Sequence, residues 1–91
     1  MYAVIAGGGK VGRAIAGDLL AEGNEVAVIE MIPERLEALQ QRHDLLVIAG
    51  DATDVRYLEQ TRLQRADVFV ATTRTDDVNY VACQLAKISF D

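Results

Sequence analysis

The chain has 91 residues, 51% of them hydrophobic and 25% charged, with a net charge of −5; this is the size of one small domain with the composition of a folded one. Nine scattered Lys and Arg residues among 14 acids form no basic stripe, which argues against nucleic acid and against direct membrane binding. The single cysteine, Cys83, excludes an intramolecular disulfide or a cysteine metal cluster and fits a reducing compartment; no signal-peptide pattern leads the chain, and its apolar runs fall short of the roughly 20 residues of a membrane helix.

Tyr2–Ala6 is an apolar run with strand character, and the glycine cluster Gly7-Gly8-Gly9 follows at once. Val11, Ile15 and Leu19 then recur every fourth residue, predicting the apolar stripe of a first helix that Gly23-Asn24 ends. Glu25–Glu30 reads as the second strand. Pro33 marks the start of a second helix, where its missing N–H costs nothing. Glu34 in its first turn and Arg42 and His43 near its end suit the helix dipole, with Ile32, Leu36 and Leu39 as the buried stripe.

Leu45–Ala49 is unbroken apolar sequence, as in a strand covered on both faces. Thr53 or Asp54 caps a short third helix through Val55 and Leu58. Asp67–Ala71 forms the fourth strand, and Thr75 or Asp76 caps a last helix with Val78, Val81, Ala82 and Leu85 on one face. Cys83 falls beside that face as a packing thiol, and Asp76 and Asp77 suit a helix start.

Strands alternating with helices predict an α/β fold with a parallel sheet and right-handed crossovers. The expected architecture is a Rossmann-like doubly wound sheet of four strands in the order 3-2-1-4, lacking the last two strands, with a ligand over the switch point between strands one and four. Residues 1–91 are thus expected to be one dinucleotide-binding domain, either truncated at its C-terminus or completed by another chain. Ile88–Asp91 reads as the stub of a fifth strand. An edge bearing Val68, Phe69 and Val70 invites pairing, so a homo-oligomer, dimer or larger, is expected to cover it together with Val78–Leu85.

The chemistry-bearing residues gather at the ends of these strands. Gly7, Gly9 and Gly12 have the G-x-G-x-x-G spacing between strand and helix: a tight turn, close backbone approach to a pyrophosphate, and close helix–strand packing. First-turn N–H groups, that of Val11 among them, then face the phosphates. Glu30 ends the second strand about 20 residues on, where an acid binds ribose hydroxyls and repels a 2′-phosphate, favouring NAD(H) or an ADP-type ligand over NADP(H). Lys10 is either a mobile phosphate-binding charge or a solvated loop lysine. Asp51, with the Ala52 N–H, either bonds an adenine edge or turns the chain. Thr72 and Thr73 leave the fourth strand on the ligand side, toward a diphosphate or second ribose. No catalytic set emerges: at the Tyr-x-x-x-Lys spacing, Tyr2, Tyr57 and Tyr80 are followed by Ala6, Thr61 and Gln84. No metal ligands cluster either.

Ile5-Ala6-Gly7-Gly8-Gly9-Lys10-Val11-Gly12, Val28-Ile29-Glu30, Gly50-Asp51-Ala52-Thr53, Ala66–Thr72 and Asp76-Asp77-Val78-Asn79 together resemble the TrkA-N, or RCK (regulator of potassium conductance), family over nearly the whole chain. The resemblance implies a cytoplasmic nucleotide-sensing regulator of a potassium channel or a Trk/Ktr-type uptake system, not an enzyme. It would bind NAD+ or NADH, or ATP or ADP. It would act on a potassium-translocating membrane subunit, lie at the inner face of the membrane through that partner, and assemble as dimers or rings. Lys10, Glu30 and Asp51 match family positions that contact phosphates, ribose and adenine respectively. Glu30 stands where the family commonly has Asp, and the strands through which members dimerise are missing. The alternative from another class is the cofactor-binding portion of an NAD-dependent oxidoreductase, and a third is a nucleotide-independent scaffold.

Overall fold

The computed structural model describes residues 1–90. Strand β1 (Tyr2–Ala6) lies between β2 (Glu25–Glu30) and β4 (Val68–Ala71), with β3 (Leu46–Ala49) outside β2, so the parallel sheet has the expected order β3-β2-β1-β4. The register sets Ala6 beside both Ile29 and Ala71, and Glu30 beside Ala49. The carboxyl ends of all four strands therefore share one edge.

Helices α1 (Lys10–Ala21), α2 (Pro33–Gln40), α3 (Val55–Gln60) and α4 (Asp76–Phe90) cover the two faces. Alternate side chains of β1 and β2 serve each face. Val4, Ala6, Ala27 and Ile29 pack with Leu58, Leu63 and Ala82, whereas Ile5, Val26 and Val28 pack with Ala16 and Leu39. The inner strands are buried on both sides, which is why their sequences are unbroken apolar runs. Burying each of Ile5, Ile29, Leu39 and Leu58 completely contributes about 1.5–3 kcal/mol before chain entropy is counted.

Several local expectations are corrected. Val11 is 61% exposed, whereas Ile15 and Leu19 are half-buried against the core as expected; the fully buried residues of α1 are Gly12 and Ala16, where the helix lies closest to β1. α2 stops at Gln40, which leaves Arg42 and His43 beyond its end, and Arg42 instead pairs with Asp44 at 3.2 Å. β3 starts at Leu46, which is 48% exposed at the sheet edge, while Val47 and Ile48 are half-buried against the two opposite core clusters and Leu45, before the strand, is buried. On the other edge, Val68 is exposed while Phe69 and Val70 are half-buried against the two core clusters.

Asp54, not Thr53, caps α3 by accepting the Arg56 N–H at 3.0 Å. Thr75 accepts the Val78 N–H at the start of α4, where Asp76 and Asp77 supply acids to the first turn. Cys83 is exposed, because Ala82 takes the inward position and one residue turns a helix by about 100°. Ile88–Phe90 continue α4 instead of starting a fifth strand; Asp91 lies outside the described residues. A 3-10 turn, Leu63–Arg65, was not foreshadowed by the sequence pattern; it follows Arg62 at φ +56°, and buries Leu63.

Candidate functional site

The loop leaving β1 is shaped by contacts with β2 and β4. The Gly7 N–H bonds the Ile29 carbonyl at 2.9 Å, and Gly7 has φ +108° with the Thr72 carbonyl 2.8 Å from where a Cβ would stand. Only glycine fits there. A Cβ on Gly12 would lie 1.9 Å from the Gly7 carbonyl oxygen, so the start of α1 closes directly on the loop. Gly9 differs: its φ is an ordinary −76°, and a Cβ would meet only the tip of Arg35, at 3.1 Å. Its backbone is the approachable surface of the loop. Gly9 is the N-cap of α1, no side chain bonds the first-turn N–H groups and no acid lies in that turn, so the positive dipole end there is left without a capping partner.

Glu30 is buried, 5% exposed, and joins this loop to the start of α2. Its Oε1 accepts the Gly8 N–H at 2.6 Å, and its Oε2 accepts the Met31 and Ile32 N–H groups at 2.9 Å each. A carboxylate has about four lone-pair sites, so roughly one remains. Holding both ribose hydroxyls, as the sequence predicts, would require surrendering at least one backbone bond.

The two threonines are also engaged. Thr72 donates its hydroxyl to the Gly7 carbonyl at 3.0 Å and its N–H to the Ala6 carbonyl at 2.7 Å, clasping the end of β4 to the glycine loop. The Thr73 N–H donates to Asn79 Oδ1 at 2.8 Å, and the Asn79 amide returns a bond to the Thr73 carbonyl at 3.3 Å. Asn79 thereby fixes the β4–α4 loop. Asp51 Oδ1 accepts both the N–H and the hydroxyl of Thr53, at 2.9 and 2.7 Å, closing the β3–α3 turn; among the described residues no donor reaches its Oδ2.

These loops enclose a cavity of 320 Å³, which joins Gly7, Glu30, Asp51, Ala52 and Thr73 from the residues singled out by sequence. Gly9, Lys10, Val11, Gly12 and Thr72 are not in its lining. Lys10 and Val11 are exposed on the first turn of α1, and Gly12 and Thr72 shape the loop from behind. The sequence reading missed Arg35 and Arg74, which line the cavity with Ile32, Pro33, Thr75 and Val78. A signal existed for Arg35: it lies in the first turn of α2, which follows the acid that ends β2 by only a short loop. A wider groove of 790 Å³ opens at the opposite end of the sheet, around Tyr2, Asn24, His43 and Arg62. It has no glycine loop, and ligands of open α/β sheets bind at the carboxyl ends of the strands. The smaller cavity is therefore the candidate site.

Among the described residues no three His, Cys, Asp or Glu side chains are grouped to hold a metal ion, and no helix is long and apolar enough to cross a membrane. Gly7 of the glycine loop, the buried acid that ends β2 and the aspartate after β3 converge on one cavity, as in nucleotide-binding α/β domains. The family model for the TrkA-N domain matches residues 3–91.

The chain belongs to the TrkA-N family. It is 46% identical over 87 residues to the Trk system potassium uptake protein TrkA homolog of Pyrococcus abyssi, covering 96% of this chain and 38% of that protein. It is 37% identical over 91 residues to the Trk system potassium uptake protein TrkA of Vibrio alginolyticus, covering all of this chain and 20% of that one. This TrkA-N chain thus spans between a fifth and two fifths of the length of these relatives. Among solved structures, Shewanella denitrificans Kef CTD in AMP-bound form superposes with a TM-score of 0.81 at 24% identity, covering 97% of this chain and 52% of that one. The TrkA-N domain of inner membrane protein ybaL from Escherichia coli superposes with a TM-score of 0.69 at 19% identity, covering 91% and 80%. At these identities the structural matches establish the shared Rossmann-like fold.

Proposed function

We propose that this TrkA-N domain is a nucleotide-sensing regulatory module of a potassium transport system, with an adenine nucleotide bound in the cavity at the carboxyl ends of the strands. The observation that carries the reading is the approachable Gly9 backbone beside the uncapped N-terminus of α1, on the edge that also presents Glu30 and Asp51. In this reading phosphates rest on the N–H groups of Gly9, Lys10 and Val11 with the Lys10 ammonium near them. Glu30 accepts a ribose hydroxyl, and Asp51 with the Ala52 N–H meets the adenine. Thr73, fixed by Asn79, borders the second half of the ligand. NAD+, NADH, ATP and ADP all carry this adenosine–phosphate unit. AMP carries it too, and the Kef domain of Shewanella denitrificans is described bound to it.

The potassium assignment comes from the TrkA relatives. On it, the domain acts at the cytoplasmic face on a potassium-translocating membrane subunit, as a homo-oligomer, and regulates rather than catalyses. Ligand binding would bear on the β2–α2 and β4–α4 loops together, since both border the cavity. Isothermal calorimetry of the chain with AMP, ADP, ATP, NAD+ and NADH tests the reading. Saturable one-to-one binding of at least one is expected, and no binding of any would overturn it.

A further inference from the structure

We propose that Arg35 is the phosphate-charge reader of this site, exchanging its contact with Glu30 for an oxygen of the bound nucleotide's phosphate. The proposal rests on the nucleotide reading above and adds to it a residue, a charge rule and a movement.

The position is the first argument. The Arg35 guanidinium lies over the glycine loop: a Cβ on Gly9 would stand 3.1 Å from its Nη1 and 3.2 Å from its Cζ. Arg35 also lines the cavity. The group thus sits over the Gly9 backbone, where the nucleotide reading rests a phosphate.

The second argument is how weakly it is held. Arg35 Nη1 is 3.8 Å from Glu30 Oε1, too long for a hydrogen bond. That carboxylate already accepts three backbone N–H groups. Among the described residues the guanidinium has no hydrogen-bond acceptor, and its side chain is 29% exposed. A guanidinium carries five donors in a planar fork that matches phosphate oxygens. Here those donors face a helix N-terminus with no acid in its first turn, so two positive features share one Glu30 carboxylate. An anion entering between them gains both, and Arg35 releases little to meet it.

Chemistry then sets the ligand rule. Adenosine offers Arg35 nothing. The phosphomonoester of AMP carries a charge of about −1.5 to −2 at pH 7, whereas each phosphate of the NAD+ pyrophosphate is a diester with a single charge. Loss of Arg35 should therefore weaken AMP most, NAD+ less and adenosine not at all.

The test compares wild type, Arg35→Gln and Arg35→Lys, each checked by circular dichroism, with AMP and NAD+ by calorimetry and adenosine by NMR shift titration. For Arg35→Gln we expect a roughly ten- to hundredfold loss of AMP affinity, as for a charge-assisted hydrogen bond, a smaller loss for NAD+, and adenosine within about twofold of wild type on the same principle. Arg35→Lys should recover part of the AMP affinity, because it restores the charge without the fork. Unchanged AMP binding in Arg35→Gln overturns the proposal while leaving the nucleotide reading intact. So does an equal loss for AMP and adenosine, which would mark Arg35 as a structural support. A wild-type chain that binds neither AMP nor NAD+ overturns the proposal, and the nucleotide reading falls with it when ADP, ATP and NADH fail to bind as well.

Discussion

Glu30 reaches across the ends of β1 and β2 to accept the Gly8 N–H at 2.6 Å, so the acid that ends one strand holds the shape of the loop leaving the other. Its second oxygen holds the Met31 and Ile32 N–H groups at the approach to α2. Glycine loop, acid and helix start are therefore one unit, and a ligand touching any of them bears on all three.

This predicts a stability role for Glu30 that does not depend on ligand. In Glu30→Gln one carboxylate oxygen becomes an NH2 donor facing backbone donors, leaving at least one buried N–H unsatisfied. The cost should be about 1–3 kcal/mol, visible as a lower melting temperature without nucleotide. An unchanged melting temperature would show that the three backbone bonds contribute nothing net.

Cofactor choice follows from the same carboxylate. A 2′-phosphate near a buried anion is repelled, so NAD(H) should bind well over tenfold more tightly than NADP(H), a difference of more than about 1.4 kcal/mol. Calorimetry with both dinucleotides measures it, and equal affinities would remove Glu30 from the ribose site.

The glycines separate by role. Gly9→Val adds bulk where the backbone conformation is ordinary and only the flexible tip of Arg35 is close, so the fold should survive while nucleotide binding is lost. Gly12→Ala puts a Cβ 1.9 Å from the Gly7 carbonyl oxygen and should cost at least the 1–3 kcal/mol typical of overpacking. Circular dichroism melts with calorimetry on both variants distinguish a lost site from a lost fold.

Tyr2 provides a pH signature at the far end of the sheet. Its hydroxyl donates to the Thr61 carbonyl, and burial raises its pKa above the ordinary 10.0, outweighing the opposing charges of Arg65 and Arg62 with some help from Glu25. The folded state then holds the phenolic proton more tightly than the unfolded chain does. The associated stability is fully present below pH 10.0 and is lost as pH rises through the higher folded value. Melting curves of wild type and Tyr2→Phe should thus converge as pH increases past that point, and a constant gap would argue against the shift.

The exposed side chains of Val68 on β4 and of Tyr80 and Val81 on α4 should support self-association, since β4 is an unpaired sheet edge. Sedimentation equilibrium is expected to show a dimer or larger species, weakened by Val81→Lys. A monomer at high concentration would refute this.

Much of this protein was legible without coordinates because its signals are local. Unbroken apolar runs mark β1 and β2, the spacing of Gly7, Gly9 and Gly12 marks the turn into α1, and Pro33 marks the start of α2. Alternation of such elements and the handedness of parallel crossovers leave few sheet orders, and the glycine spacing of a dinucleotide site selects 3-2-1-4 among them. The sequence also places Glu30, Asp51 and Thr73 at strand ends, which the shared register brings to one cavity. Partnership was not legible. That Glu30 meets Gly8, that Thr72 braces Gly7 and that Arg35 overlies Gly9 depend on how elements distant in the chain are set against one another. Nor was helix rotation, where a single residue turns Ala82 inward and Cys83 outward. Periodicity along a chain specifies which elements form, but only packing across them decides which side chains touch.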